Sequence, residues 1–426
     1  MNISLDNIGK IEKATIEIKG ITVIAGENNT GKSTVGKTLY AIFNSFYQIQ
    51  NKLKKERLQA IERIIVEITS TNSPSGDFFK DFERIRETSF GVFDIFNKED
   101  LIEESLENKI KSLEEITSDL NVEEPKDENI RKMANKIHDI MKISDNEILK
   151  NILTKNLSLE FDGQINNIYE EDKGYISLDI KASKVSIEVE NDEVVLLSNN
   201  YDLNTEAIYL DDPFVLDEYI NPNPRFFQIN SYYDHETNLM IKLSQNLQGG
   251  SALNEIMNKN KLDSIYSKLD KVCDGEISSL KGRWGYSEKG SDKVLNMRNV
   301  SSGLKTFVIL KRLIQNGTIN DNGTIILDEP EIHLHPKWQL MFAELIVLIQ
   351  KEFDMHILIN THSPYFLNAI EVYSKKYEIE DKCKYYLSRL DGEKAVIDDV
   401  TDNTELIYEK LARPLQILET EMAKYD

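Results

Sequence analysis

Eight residues near the N-terminus, Gly26-Glu27-Asn28-Asn29-Thr30-Gly31-Lys32-Ser33, keep the spacing G-x-x-x-x-G-K-S. Each fixed position has a physical reason. Glycines let backbone N–H groups curl around phosphate oxygens with no Cβ in the way. The helix that opens after the loop turns its positive dipole end to the same phosphates. Lys32 reaches the outer phosphates, and the Ser33 hydroxyl is a hard oxygen donor for Mg²⁺. The stretch therefore reads as an ATP cradle made of Asn28, Asn29, Thr30, Gly31, Lys32, Ser33 and Thr34, with Ser33 also a metal ligand. The competing reading is an ordinary turn between a strand and a helix.

Three later stretches carry chemistry that fits this cradle. Thr324–Leu327 is an apolar run that delivers Asp328-Glu329-Pro330. Asp328 is placed to hold Mg²⁺ through water, because Mg²⁺ keeps much of its hydration shell. Glu329 is placed to polarise an attacking water. The bland alternative is a strand ending in an acidic turn. Met355–Ile359 is a second apolar run, ending in Asn360-Thr361-His362-Ser363-Pro364. A histidine at the carboxyl end of such a strand can touch a terminal phosphate. Ser301-Ser302-Gly303 opens a helix and forms a second anion site. Gln228, at the end of the short run Phe226–Ile229, is a candidate sensor of Mg²⁺ and the terminal phosphate. His333-x-His335 beside acids can bind zinc, but no third ligand group accompanies it.

These residues need elements to hold them. Ile3–Leu5, Ala14–Ile18 and Ile21–Ala25 read as strands, the last buried on both faces. From Lys32 the positions Val35, Leu39, Ile42, Phe46, Ile49 and Leu53 keep helical spacing, so a single helix is expected to run on as an arm. Residues 78–157 read as a helical bundle broken at Pro125 and at Ser144-Asp145. Leu159–Phe161, Tyr175–Ile180, Val185–Val189 and Val194–Leu197 read as an antiparallel meander, followed by a short strand Ala207–Leu210. Asp234 to Val272 reads as helical. Ser278–Tyr286 and Lys293–Met297 read as a hairpin. After Pro364 come a helix, strands Lys384–Ser388 and Ala395–Val400, and terminal helices. The expected segments are 1–44 (first part of the ATPase head), 45–157 (helical insertion), 158–230 (β-rich part), 231–298 (helical lobe and hairpin), 299–375 (second part of the head) and 376–426 (C-terminal extension).

The chain has 426 residues, 40% of them hydrophobic, and a formal net charge of -22. Such acidity opposes non-specific coating of nucleic acid, although a local basic groove or a basic partner is compatible with it. Cys273 and Cys383 form no motif and fit a reducing compartment. No apolar run reaches the roughly 20 residues that span a bilayer, and no signal-peptide core is present. A cytoplasmic protein without membrane contact is expected.

In this order the motifs resemble those of ABC-type ATPases: G-x-x-x-x-G-K-S, then S-S-G-x-K at Ser301 to Lys305, then Asp-Glu-Pro after an apolar strand, then Thr-His-Ser-Pro. More narrowly the chain resembles the RecF/SMC/OLD-like branch. Glu331-Ile332-His333-Leu334-His335-Pro336 is similar to a stretch in OLD-type nucleases and in anti-phage systems such as Septu. The resemblance implies an α/β fold: an ABC-type P-loop head with a mixed sheet, an antiparallel β subdomain and a helical insertion. It implies a head-to-tail homodimer, or a higher oligomer, around two ATPs. Each nucleotide would sit on Lys32 and Ser33 of one subunit and be closed by Ser301, Ser302, Gly303 and Lys305 of the other. His362 would be the switch histidine, and Glu331 to Pro336 would cross the interface. Val300 and Leu304 depart from the usual residues beside S-S-G. The carboxylate cluster of an OLD-type nuclease is not expected before Asp426, so a separate effector, a nuclease or toxin, is expected. The other readings are a DNA-maintenance clamp and a slow, nucleotide-dependent scaffold.

Overall fold

A computed structural model describes residues 1–69, 78–97, 106–117, 127–169, 172–181, 183–199, 203, 205–217, 232–245, 262–280 and 283–425. The expected strand Phe226–Ile229, with Gln228, lies outside the described residues.

The head is built on one 11-stranded sheet. Its strands in chain order are β1 (Asn2–Ile8), β2 (Ile11–Glu17), β3 (Ile21–Gly26), β4 (Gly174–Ile180), β5 (Ser183–Glu190), β6 (Glu193–Asn199), β7 (Ala207–Leu210), β11 (Thr324–Asp328), β12 (His356–Thr361), β13 (Cys383–Asp391) and β14 (Lys394–Asp399). Strands β8 (Glu276–Leu280), β9 (Arg283–Ser287) and β10 (Val294–Asn296) make a separate antiparallel sheet. The expected long strand Ser278–Tyr286 is thus divided between β8 and β9, so the expected hairpin is a three-stranded sheet.

The spatial order β7-β11-β12-β3-β13 is parallel throughout. Every residue of β3, β7 and β11 is buried. Continuous apolar sequence is what a strand covered on both faces requires. The other wing, β2-β1-β4-β5-β6, is antiparallel. It alternates buried and open positions, as a sheet covered on one face does. Between β5 and β6, Asn191 and Asp192 have φ of 52° and 64°, the left-handed pair a two-residue hairpin turn needs. β14 joins the wings, antiparallel to β13 and parallel to β2.

Two expectations fail for physical reasons. Helix α1 (Lys32–Phe46) stops after Phe46, and α2 (Ile49–Thr69) is a new helix. Tyr47 is extended and forms a bridge to Leu203, and Gln48 has φ 51°. The buried Ser45 accepts from Asn156 at 2.8 Å. Tertiary capture of the chain overrides an unbroken helical period here. The second failure is Leu159–Phe161, which is the last turn of a helix and not a strand. That helix ends through Asp162 and Gly163, both left-handed, with the Gly163 N–H donating to Ser158 O at 2.9 Å.

The chain divides into two compact units, residues 1–47 with 153–426 and residues 48–152. The second unit holds α2, α3 (Phe78–Asn97), α4 (Leu106–Thr117) and α5 (Asp127–Lys142), and the start of α6 (Asp145–Phe161). Ile61, Ile65, Val92, Leu113, Ala134 and Ile137 form its fully buried centre. Among its described basic residues, Arg57 pairs with Asp145 at 2.7 Å and Lys136 with Glu67 at 2.8 Å.

In the first unit, the helices α7 (His235–Ser244), α8 (Ser302–Gln315), α9 (Pro336–Phe353) and α10 (Pro364–Lys376) lie in sequence among these strands. Phe307, Phe342 and Phe366 join the last three, with ring centroids 5.4 and 6.5 Å apart along the series. The tail is one helix, α11 (Glu405–Met422). Among the described residues, no helix is long and apolar enough to cross a membrane.

Candidate nucleotide site

The loop after β3 is shaped by close approaches. A Cβ on Gly26 would lie 2.3 Å from the carbonyl oxygen of Ser388 on the neighbouring strand, so only glycine fits. Gly31 has φ 81°, and a Cβ there would come within 2.9 Å of Ile11 Cγ1. The loop closes on itself. Thr30 Oγ1 donates to Glu27 O at 2.8 Å, and Ser388 Oγ donates to Thr30 O. Helix α1 then opens on Gly31 with no side-chain cap and no acid in its first turn. Its first N–H groups are left to bind an anion. Lys32 is buried, its Nζ donating to Gly26 O at 3.1 Å and Glu27 O at 2.8 Å.

Two neighbouring strands bring the other residues to this loop. Parallel register sets Asp328 beside Asn360, and Asn360 beside Ile24, so all three strands end on one edge. Ligands of open parallel sheets sit at that edge. Asp328 Oδ2 accepts from Tyr209 Oη at 2.6 Å and Oδ1 from Asn360 Nδ2 at 3.0 Å. Burial, with the Asp328 charge beside it, raises the Tyr209 hydroxyl pKa well above its ordinary value. Glu329 has φ 48°, a left-handed conformation fixed by its N–H donating to Asn360 O at 2.9 Å. A non-glycine residue held there is strained by roughly 1–3 kcal/mol, which the surrounding structure must impose. The result is that Glu329 Oε1 lies 3.6 Å from Lys32 Nζ and 3.3 Å from His362 Nδ1. The His362 contact is ionic in distance but not aligned as a hydrogen bond.

Asn28 to Thr34, Asp328 and Glu329 line one pocket of about 430 Å³, together with Lys10, Asp211 and Ile332. A larger cleft of about 930 Å³ opens beside β8 and β9 and holds none of the residues the sequence singles out. The hydroxyl of Ser33 and the carboxylate of Asp328 are hard oxygen donors of the kind Mg²⁺ takes. Both Asp328 oxygens already accept a hydrogen bond, which suits a contact through metal-bound water.

The Glu331–Pro336 stretch is split in its environment. Glu331 is 2% exposed. Its Oε1 accepts from Thr361 Oγ1 and from the His362 N–H, so it ties the turn after β11 to the turn that carries His362. Burial raises its pKa. Leu334 is also buried, while Ile332, His333 and His335 are exposed. His335 caps α9 by accepting from the Lys337 N–H at 3.3 Å. The two histidines join no metal-binding group among the described residues.

At the start of α8, Ser301 is the N-cap and accepts from Leu304 N. A Cβ on Gly303 would meet His333 O at 2.9 Å, so a glycine lets α8 approach this turn. None of Ser301, Ser302 and Gly303 lines the pocket of its own chain. Lys305 corrects an expectation. It is 1% exposed, its ammonium 2.6 Å from Asp217 Oδ1 and 4.8 Å from the centre of the Phe214 ring. One turn into α8, it faces the 3₁₀ segment Pro213–Asp217 and is not presented to a nucleotide.

Sequence reasoning gave no site role to Tyr209, Asp211 or Asn360, and it placed Glu331 only in a stretch expected to cross an interface. A signal existed for two of them. Asn360 is a polar residue at the end of an apolar strand, and Asp211 follows one directly.

Residues 21–368 match the model of a family described as "AAA domain, putative AbiEii toxin, Type IV TA system". A Vibrio cholerae serotype O1 biovar El Tor protein, named Retron Vc95 probable ATPase, is 29% identical over 87 residues, covering 18% of this chain and 16% of that relative. Among solved structures, the SMC head domain from Thermotoga maritima gives a TM-score of 0.38 at 11% identity, covering 94% of this chain and 98% of that one. The SmcHead bound to the C-winged helix domain of ScpA gives 0.42 at 9% identity, covering 93% and 97%.

Proposed function

The chain belongs to this AAA-domain family, and from that membership and the pocket geometry we propose that it binds ATP with Mg²⁺ and hydrolyses it. The observation that carries the reading is Glu329. A single carboxylate oxygen lies within 3.6 Å of both Lys32 and His362, on a residue whose backbone is held left-handed.

In this reading the uncapped start of α1 and the loop N–H groups take the phosphates. Lys32 exchanges its two backbone carbonyls for phosphate oxygens. Ser33 and Asp328 would hold Mg²⁺, which when bound offsets phosphate charge. Glu329 orients a water and accepts its proton, and His362 contacts the terminal phosphate. Ser301 to Gly303, which form an anion site away from their own pocket, close the pocket of a second copy in a head-to-tail dimer. Mixing Lys32→Ala with Ser301→Arg protein should then restore at most one working site per dimer. Full activity from a demonstrably monomeric preparation would overturn the shared site.

The biological role we propose is that of an ATPase subunit in an anti-phage defence complex, holding a separate nuclease or toxin inactive until a signal arrives. Support comes from the resemblance of Glu331 to Pro336 to such systems. Coupling of about 1–3 kcal/mol between nucleotide state and effector contact gives a 5- to 150-fold change in affinity. The test is phage challenge of cells expressing the chain with and without its genomic neighbours. Protection should require a neighbour, Lys32 and Glu329 together. Protection by this chain alone would overturn the role. Sensitivity to DNA damage without an effect on phage would replace it with DNA maintenance.

A further inference from the structure

Strand β7 lies beside β11 in parallel register, with Leu210 opposite Leu327. The residue after each is a carboxylate, Asp211 and Asp328, and both line the pocket. Neighbouring strands are about 4.8 Å apart, so the two acids leave the sheet side by side. Like charges so placed disfavour each other unless something holds them. Asp328 is held by Tyr209 and Asn360.

Asp211 is held by a different device. Its Oδ2 is 2.9 Å from His235 Nε2. His235 opens α7, and both its backbone N–H and its ring meet one carboxylate. The N–H donates to Glu160 Oε1 at 2.9 Å, and Nδ1 lies 2.6 Å from Glu160 Oε2. Glu160 is 3% exposed and His235 7%. With Nδ1 held by Glu160 and Nε2 by Asp211, the ring is fixed in a single orientation. The ring also packs on Tyr209, centroids 4.4 Å apart, and on the edge of Tyr40 at 6.1 Å. Tyr209 is the residue that donates to Asp328, so the imidazole touches the supports of both acids. Glu236, next in the chain, has its carboxylate within 4.8 Å of the donor atoms of Asp211 and His235, which leaves the cluster rich in negative charge.

We propose that His235, fixed by Glu160, is a positioning residue that presents the Asp211 carboxylate beside Asp328 to the divalent cation of a bound nucleotide. This rests on the nucleotide reading above. Held by a buried imidazole that is bonded at both ring nitrogens, and by backbone N–H groups of Asp211 and Asp212, this carboxylate is fixed at the wall of the pocket it lines. Oriented ligands of this kind lose affinity when the group behind them is removed.

The experiment measures ATP affinity by calorimetry across a MgCl₂ titration and in EDTA, in the Glu329→Gln background so that turnover does not enter. Asp211→Asn and His235→Gln should raise the Mg²⁺ concentration for half-maximal binding by about fivefold or more, the size of one charge-assisted contact. Affinity in EDTA should not fall in either. Asp212→Asn, one residue along, should keep the parent midpoint. Thermal melts check folding; should His235→Gln fail to fold, Asp211→Asn, at a part-exposed position, decides the matter. An unshifted midpoint in Asp211→Asn, or an equal loss with and without Mg²⁺, would overturn this assignment alone. If the parent binds no ATP at all, the nucleotide reading itself falls and takes this with it.

Discussion

At the scale of single residues, the site is made as much by missing atoms as by functional groups. Gly26 sits where any Cβ would be 2.3 Å from a backbone oxygen of β13. Gly26→Ala must push the fully buried β3 away from the buried Ser388 of β13, so it should destabilise the fold by about 1–3 kcal/mol. Denaturant unfolding of the variant checks this, and an unchanged midpoint would mean that β13 gives way at no cost. The positions of Asp328, Glu329 and His362 could be read locally because each stands at the end of an apolar strand, and that of Lys32 because it closes the glycine-bounded loop after one. Lys305 was misread because motif order says nothing about which side of α8 a residue takes; its partner Asp217 lies 88 positions away. Asp211, His235 and Glu160 were hidden for the same reason. Apart, they look like a strand end, a helix start and a surface acid.

At the scale of elements, strands were easier to read than the points where helices stop. The period from Val35 to Leu53 runs unbroken through two helices, because the stop at Tyr47 comes from a bridge to Leu203 and not from a glycine or proline. Likewise Leu159–Phe161 alternates like a strand but finishes α6. The end of α6, the start of α7 and the end of β7 meet at His235. Burial alone would lower its pKa, but the hydrogen bonds its ring donates to Asp211 and Glu160, with their charges, outweigh burial and push it up to about 10. The folded value is therefore above the unfolded value of about 6.5. A raised folded pKa contributes stability that is complete below about pH 6.5 and is lost as pH rises through about 10. Nucleotide-free protein should become easier to unfold by denaturant between those limits. His235→Gln should be less stable at neutral pH and should lose less on the way up. Parallel pH curves for the two proteins would show that the imidazolium contributes nothing to this junction.

At the scale of the whole molecule, the existence of most strands was legible but their order was not. β1 and β2 come first in the chain, yet they sit between β4 and β14, strands made more than 150 and more than 370 residues later. Sheet order depends on pairings that no local pattern encodes. What the order achieves is to set the carboxyl ends of β3, β12, β11 and β7 in one row, each delivering a residue to one edge. The net charge of -22 makes the few cations there matter more, because the pocket has to accept a polyanion. Lys32, Lys10 and the uncapped α1 are the groups that would supply that attraction, and Glu329 beside them is the proposed base. The central claim is that this row of strand ends is an ATP-hydrolysing site. The measurement that tests it most directly is phosphate release together with ATP affinity in the unaltered protein and in Glu329→Gln. The unaltered protein should release phosphate, and Glu329→Gln should keep its ATP affinity while release falls by about 10²–10⁴-fold, the size of a lost general base. Undiminished release from Glu329→Gln would contradict the account.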